Sequence, residues 1–236
     1  MLVSPPSTVI PWLIGFPIFI IFGVRGWQNY HRLHNPLSKL FAYCGFSAGI
    51  AFFFFSVPFM FNISQDVMIA VSIIGDLFLY TLFVTQTYIL YYLILKERVS
   101  AQLIMIPFLG LALVGWLSNC YGYIHNGVSI ENNKFIYSLP PLSDYIQLVF
   151  LFIIMMVGVL LLGRVRQQTS PRAKGGLIGI AALFMLSGLG GALNVIMSGD
   201  PNQSPYIVLS YIVGFVSFVI ILVIIRHLGK PKSLRR

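Results

Sequence analysis

Seven long apolar runs divide this sequence, at 9–24, 40–61, 67–95, 102–121, 145–162, 175–197 and 206–225. A helix that crosses a bilayer needs roughly 20 mostly apolar residues, so each run is a candidate span. Only helices and closed barrels satisfy the backbone in lipid. Barrel strands alternate apolar and polar residues, whereas stretches such as Phe52–Phe55 and Val219–Ile225 are continuous. Charged residues make up 9% of the chain and hydrophobic ones 58%, against about a quarter charged in a soluble domain. Such a chain has too little polar surface to cover a soluble core. The expected fold is an all-α membrane protein: a seven-transmembrane helical bundle forming a single domain over 1–236.

The charges orient the bundle. Fourteen of the fifteen bases lie in the segments after runs one, three, five and seven: Arg25, Arg32 and Lys39, then Lys96 and Arg98, then Arg164, Arg166, Arg172 and Lys174, then Arg226, Lys230, Lys232, Arg235 and Arg236. The other side carries Lys134 with Asp66, Glu131, Asp144 and Asp200. The positive-inside rule makes the basic side cytoplasmic, so the N-terminus is expected outside and the C-terminus inside. This distribution also explains the net charge of +9 without nucleic acid. The expected environment is the lipid bilayer, and the basic tail can also meet anionic headgroups.

Residues 1–8 carry no basic stretch of the secretory-signal kind, so the first run is expected to be a retained helix. Cys44 falls near the inner end of the second run and Cys120 near the outer end of the fourth, so no disulfide is expected. One connection is long: 122–144, on the outer side, ends in Pro140-Pro141, and long ordered loops often cover binding sites. Small residues recur four apart, as Gly45 and Gly49, Gly175 and Gly179, and Ser210 and Gly214. That spacing lets helices in lipid approach closely, and these six are the expected helix-packing positions. Pro11, Pro17 and Pro107 are expected to begin or kink helices. Runs one to three resemble runs five to seven in loop charge and glycine content, which suggests a 3+1+3 arrangement around the fourth.

Asp76 is the acidic residue inside a span. It lies about 13 Å beyond Val67 along the axis, in the outer half of the third run. An Asp near a helix centre costs on the order of 2.5–3.5 kcal/mol to insert, and such residues tend to be functional and face the bundle interior. Tyr80 and Thr87 continue that side, Thr81, Thr85 and Tyr88 form a neighbouring stripe, and Gln86 adds an amide. Trp116 and Asn119 in the fourth run and Asn194 in the sixth can face them. Asp76, Tyr80, Thr81, Gln86, Thr87, Trp116, Asn119 and Asn194 are therefore the candidate ligand-binding or proton-switch residues.

Catalytic templates are missing from the sequence. There is no Gly-x-Ser-x-Gly elbow, no phosphate-binding loop and no His-Glu-x-x-His, each of which carries a recognisable spacing. The spans hold no carboxylate pair. His31 and His34 fall in the first inner loop with nothing to complete a metal site, and no two histidines lie within spans to hold a haem. Neither an enzyme nor a cofactor or metal is expected. A rhodopsin-type photoreceptor needs a lysine in the seventh run, and 206–225 contains none.

The layout resembles the seven-helix N-terminal sensor region of bacterial and archaeal histidine kinases. The likeness rests on the outer segment bearing His125, Pro140 and Pro141, and on the basic stretch Arg164–Lys174 running into a glycine-rich sixth run. It implies a receptor-like sensor in a bacterial or archaeal plasma membrane. A ligand would enter beneath 122–144, reach Asp76 and favour one helix packing over another. With no kinase domain after the seventh run, output would pass to a cytoplasmic signalling partner or a homo-oligomer. The alternatives are a small secondary transporter with a polar path along the third run, and a structural subunit of a membrane complex. A sensor predicts that the polar line stops partway; a transporter predicts that it runs the full depth.

Overall fold

In the computed structural model, residues 10–61, 63–94, 101–131, 134–137, 139–197 and 216 are described. They form α1 (Ile10–Leu33), α2 (Pro36–Met60), α3 (Gln65–Ile94), α4 (Ala101–Asn126), β1 (Val128–Glu131), β2 (Lys134–Tyr137), α5 (Pro141–Val165) and α6 (Pro171–Met197). Five helices are long and apolar enough to cross a bilayer: α2, α3, α5, the Met105–Asn126 part of α4 and the Ala173–Leu193 part of α6. The chain is an integral membrane protein with a helical bundle. Its outward faces are apolar: α4 exposes Leu103, Ile106, Leu113 and Leu117, and α5 exposes Val149, Phe152, Met156 and Val159. Lipid tails are as apolar as these side chains, so the surface is at home in a membrane. The seventh run, with Ser210 and Gly214, lies outside the described residues apart from position 216.

The helices outrun the apolar stretches that announce them. The first run covers 9–24, but α1 continues to Leu33, so Arg25, His31 and Arg32 are helical rather than in a loop. Nothing from Val24 to Leu33 forbids helix, and Trp27 packs its ring on Tyr30 and His31 at 5.8 and 5.2 Å. The break comes at His34, whose φ of 48° is left-handed. Asn35 then caps α2, its side chain accepting from the Leu37 amide at 3.0 Å, with Pro36 in the first turn. Proline there loses no helical hydrogen bond. Pro141 and Pro171 open α5 and α6 in the same way. Pro17 and Pro107 instead lie inside α1 and α4.

α3 sits at the centre, packed against α2, α4 and α5. The α1–α2 and α5–α6 hairpins flank it and use one device. A Cβ on Gly45 would lie 2.5 Å from the Gly23 nitrogen, and one on Gly158 would lie 2.8 Å from the Ala181 carbonyl oxygen. Backbone thus meets backbone at both crossings, where dispersion replaces the hydrophobic drive that lipid does not supply. Gly49 packs on Ile20, and Gly188 on Met155 and the Leu151 carbonyl. Gly175 does not pack: a Cβ there meets nothing within 4 Å. It lies too close to the start of α6, and the crossing falls further along, at Ala181 and Gly188. Gly179 is half-buried in α6.

The segment 122–144 is less loop than its length suggests. α4 runs on to Asn126, and Gly127 turns the chain at φ 75°. β1 and β2 then pair antiparallel, Val128 opposite Tyr137 and Glu131 opposite Lys134. Val-Ser-Ile-Glu and Lys-Phe-Ile-Tyr are rich in the β-branched and aromatic residues that favour strands. β1 rests on α3 and β2 on α4, and Val128 is 1% exposed. The hairpin therefore covers the end of the bundle where α3 and α5 begin. At the opposite end, the Arg164 guanidinium of α5 donates to the Leu93 carbonyl in the last turn of α3.

Candidate functional site

The buried face of α3 carries Ser72, Gly75, Asp76, Tyr80, Phe83, Gln86 and Thr87. Residues four apart lie one above another on a helix, so Ser72, Asp76 and Tyr80 form one column toward the bundle interior. Asp76 is 3% exposed and lies about 16 Å along α3 from Gln65 by the helical rise. That places it nearer the hairpin end than the Arg164 end.

A chain of polar side chains crosses three helices here. Asn119 of α4 is fully buried, and its Nδ2 donates to Asp76 Oδ2 at 2.6 Å. Tyr123, one turn further along α4 and also buried, is a second hydrogen-bond partner of the carboxylate. The Ser143 hydroxyl, in the first turn of α5, donates to Asn119 Oδ1. Gln147 Nε2 in turn donates to Ser143 Oγ at 3.2 Å. Trp116 ties α4 to α3 separately, its indole N–H donating to the Ile73 carbonyl at 3.1 Å. Both amide ends of Asn119 are therefore committed, one to α3 and one to α5.

Not every polar atom in the column is satisfied. The Ser72 hydroxyl makes no hydrogen bond, whereas the Tyr80 hydroxyl lies beside Ser143 and Gln147. Tyr80 fits only because α4 has no side chain at Gly115, where a Cβ would stand 2.6 Å from the phenol oxygen and 2.8 Å from Ile146 Cγ2. Asp76 also lacks a countercharge: among the described residues no Lys, Arg or His interacts with it.

Beneath Tyr80 the column meets a layer of rings. Tyr80 packs edge-on against Phe83 at 5.6 Å, and Phe83 stacks on Phe150 of α5 at 5.3 Å. Phe108 of α4 closes the third side, 6.4 Å from Phe150. Gln86 and Thr87 are buried beyond this layer. Thr87 donates to the Phe83 carbonyl of its own helix at 3.0 Å, and Gln86 Oε1 has no partner.

The sequence-derived candidates thus separate into groups. Asp76, Tyr80, Trp116 and Asn119 come together. Gln86 and Thr87 lie across the aromatic layer from them. Thr81 is exposed and spends its hydroxyl on the Leu77 carbonyl at 2.8 Å, and Thr85 bonds the Thr81 carbonyl. Asn194 belongs to α6, and its side chain lies outside the described residues. Four participants escape a reading of the sequence: Ser72, Tyr123, Ser143 and Gln147. The last two carry a usable signal, since a Ser and a Gln four apart at the head of an otherwise apolar span are costly in lipid unless they face the interior.

Among the described residues no group of three or more His, Cys, Asp or Glu side chains could hold a metal. Cys44 and Cys120 are free thiols. His125 bonds the Tyr121 carbonyl at 3.0 Å and stacks on the Tyr121 ring. The buried Asp76 carboxylate can accept hydrogen bonds or a positive charge, and Asn119 links it to α4 and α5. No protein-family model matches the chain, and neither the curated proteins nor the solved structures include a significant match.

Proposed function

We propose that this protein is a receptor-like sensor module, non-catalytic, crossing the plasma membrane of a bacterium or archaeon seven times with its N-terminus outside and its C-terminus in the cytoplasm. The observation that carries this reading is the position of the Asp76–Asn119–Ser143–Gln147 network. It lies toward the hairpin end of the bundle, and the Phe83, Phe108 and Phe150 rings close it off below. A polar line that stops partway suits signal reception better than passage.

A ligand entering beneath the hairpin competes for Asp76 or Asn119 and so loosens the α3–α4–α5 junction. Differential affinity for the two packings then shifts their populations. α3 and α5 carry the shift to their far ends, where Arg164 caps Leu93 among the basic residues, and a cytoplasmic partner or a second copy of the chain reads it there.

Proteoliposomes test this reading against transport. Protons and a panel of small solutes are offered to the native protein and to Asp76→Asn. The sensor reading expects no flux from either. Flux from the native protein that disappears in Asp76→Asn would make Asp76 part of a permeation path. Gln86, buried below the rings with an unpartnered oxygen, is the observation that favours such a path.

A further inference from the structure

The turn between α1 and α2 gathers aromatic rings around one cation. Gly26 approaches α2 so closely that a Cβ there would lie 3.0 Å from the Ala42 nitrogen. That approach sets Trp27 beside Tyr43, their rings 6.2 Å apart. Trp27 also lies 5.8 Å from Tyr30 and 5.2 Å from His31. The Lys39 ammonium sits over both tyrosines, 5.6 Å from the Tyr30 centroid and 5.7 Å from that of Tyr43. Two rings thus hold one cation by cation–π attraction. Among the described residues no acid neutralises it, because Asp66, Asp76, Glu131 and Asp144 belong to α3, α5 and the hairpin, toward the far end of the bundle. The helix ends add to the imbalance. The C-terminus of α1 is met by His31 and Arg32 in its last turn, whereas the positive N-terminus of α2 has no acid in its first.

We infer that this end of the α1–α2 pair binds the phosphate headgroup of an anionic phospholipid, with Lys39 and the N-terminus of α2 as its anchors. Depth selects a lipid. The patch falls between Val24, where the first apolar run ends, and Leu40, where the second begins. That is headgroup level in a bilayer, the level that Trp and Tyr favour. Shape agrees: Ile21, Val24 and Trp27 follow one another along one side of α1 and are 46, 41 and 36% exposed. An acyl chain lies along Ile21 and Val24 while its headgroup meets Trp27 and Lys39. Charge sets the headgroup class. A lysine is a compact point charge that binds phosphate oxygens, and a zwitterionic headgroup would bring a second cation against it. The inference is independent of the sensor reading, since a transporter would keep the same contact with its lipids.

The test uses the full chain with Trp12→Phe and Trp116→Phe, which leave Trp27 as the one tryptophan. Each variant is first checked for native helical content by circular dichroism. The protein is reconstituted in phosphatidylcholine vesicles that contain a minor share of phosphatidylglycerol or phosphatidylcholine brominated on its acyl chains, and quenching of Trp27 is read. Brominated phosphatidylglycerol is expected to reach half-quenching at about fivefold lower mole fraction, the factor that one cation near an anionic headgroup supplies. Lys39→Gln removes this preference and Lys39→Arg keeps it. Arg32→Gln leaves it unchanged, because Arg32 lies five residues on from Trp27, on the other side of α1. Native mass spectrometry of the unaltered chain and of Lys39→Gln, offered both lipids in detergent, reads the same preference without the tryptophan replacements. Equal quenching by the two lipids overturns the inference. So does a preference lost equally in Arg32→Gln and Lys39→Gln, which would mean attraction to the basic end as a whole. A preference that inorganic phosphate removes, at ionic strength held constant with chloride, would assign the patch to free phosphate instead.

Discussion

Asn119 Nδ2 lies 2.6 Å from Asp76 Oδ2, and the same amide's oxygen accepts the Ser143 hydroxyl, so one side chain of α4 bonds both α3 and α5. An amide that bridges two helices in this way holds them in register while leaving each bond open to competition by a ligand.

Replacing Asn119 by Ala removes both bonds, leaving the buried Asp76 carboxylate with one partner fewer and the Ser143 hydroxyl without that acceptor. The expected loss is about 1–3 kcal/mol of stability. Equilibrium unfolding in mixed detergent micelles measures it. Asn119→Asp, which keeps the shape but sets two acids together, is expected to be at least as damaging.

Gly115→Ala places a methyl group 2.6 Å from the Tyr80 oxygen. Overpacking of this kind costs about 1–3 kcal/mol. Tyr80→Phe removes the atom that the methyl strikes first, so the double variant is expected to recover part of the loss, which a double-mutant cycle reads directly.

The two glycine positions Gly45 and Gly175 predict contrasting outcomes for one substitution. Gly45→Ala drives a methyl into the backbone of Gly23 and is expected to separate α1 from α2, lowering Tm by several degrees. Gly175→Ala enters open space and is expected to stabilise α6 by up to about 1 kcal/mol through helix propensity. Parallel thermal melts of the two variants check both signs.

Arg164→Gln removes the guanidinium from the end of α3. A cation at a helix C-terminus contributes about 0.3–1 kcal/mol, so the bundle should stay folded. Hydrogen exchange should quicken in the last turn of α3, around Tyr91–Ile94, with no change around Asp76. Equal exchange in the two proteins would mean that the contact stabilises nothing.

Much of this arrangement is legible in the sequence, because lipid imposes simple rules. Continuous apolar runs mark helices, and a lone acid within one must face inward; Asp76 does so. Asn119 and Trp116 are legible for the same reason, being polar groups on an apolar helix. Thr81 and Thr85 mislead because a threonine can satisfy its hydroxyl on its own helix, so its presence does not mark a bundle-facing side. Helix ends are less legible than helix cores. Whether α1 stops at Val24 or Leu33 depends on where the chain meets a breaker, and His34–Pro36 supplies it. The hairpin at 128–137 is hidden by its shortness, since two four-residue strands gain their stability from resting on α3 and α4. The aromatic layer under Tyr80 is not legible at all: Phe83, Phe108 and Phe150 come from three helices, and only their packing brings the rings together.

In a sensor, the state of the Asp76 network must be felt at the Arg164 end of the bundle. Spin labels at Ile94→Cys and Leu162→Cys, both at exposed positions of α3 and α5, report the separation of those ends once Cys44 and Cys120 are replaced by Ala. Double electron–electron resonance in nanodiscs would compare the native network with Asp76→Asn. A shifted or newly bimodal distance distribution is expected in the variant. Superimposable distributions, from two proteins of equal helical content, would contradict coupling between the two ends.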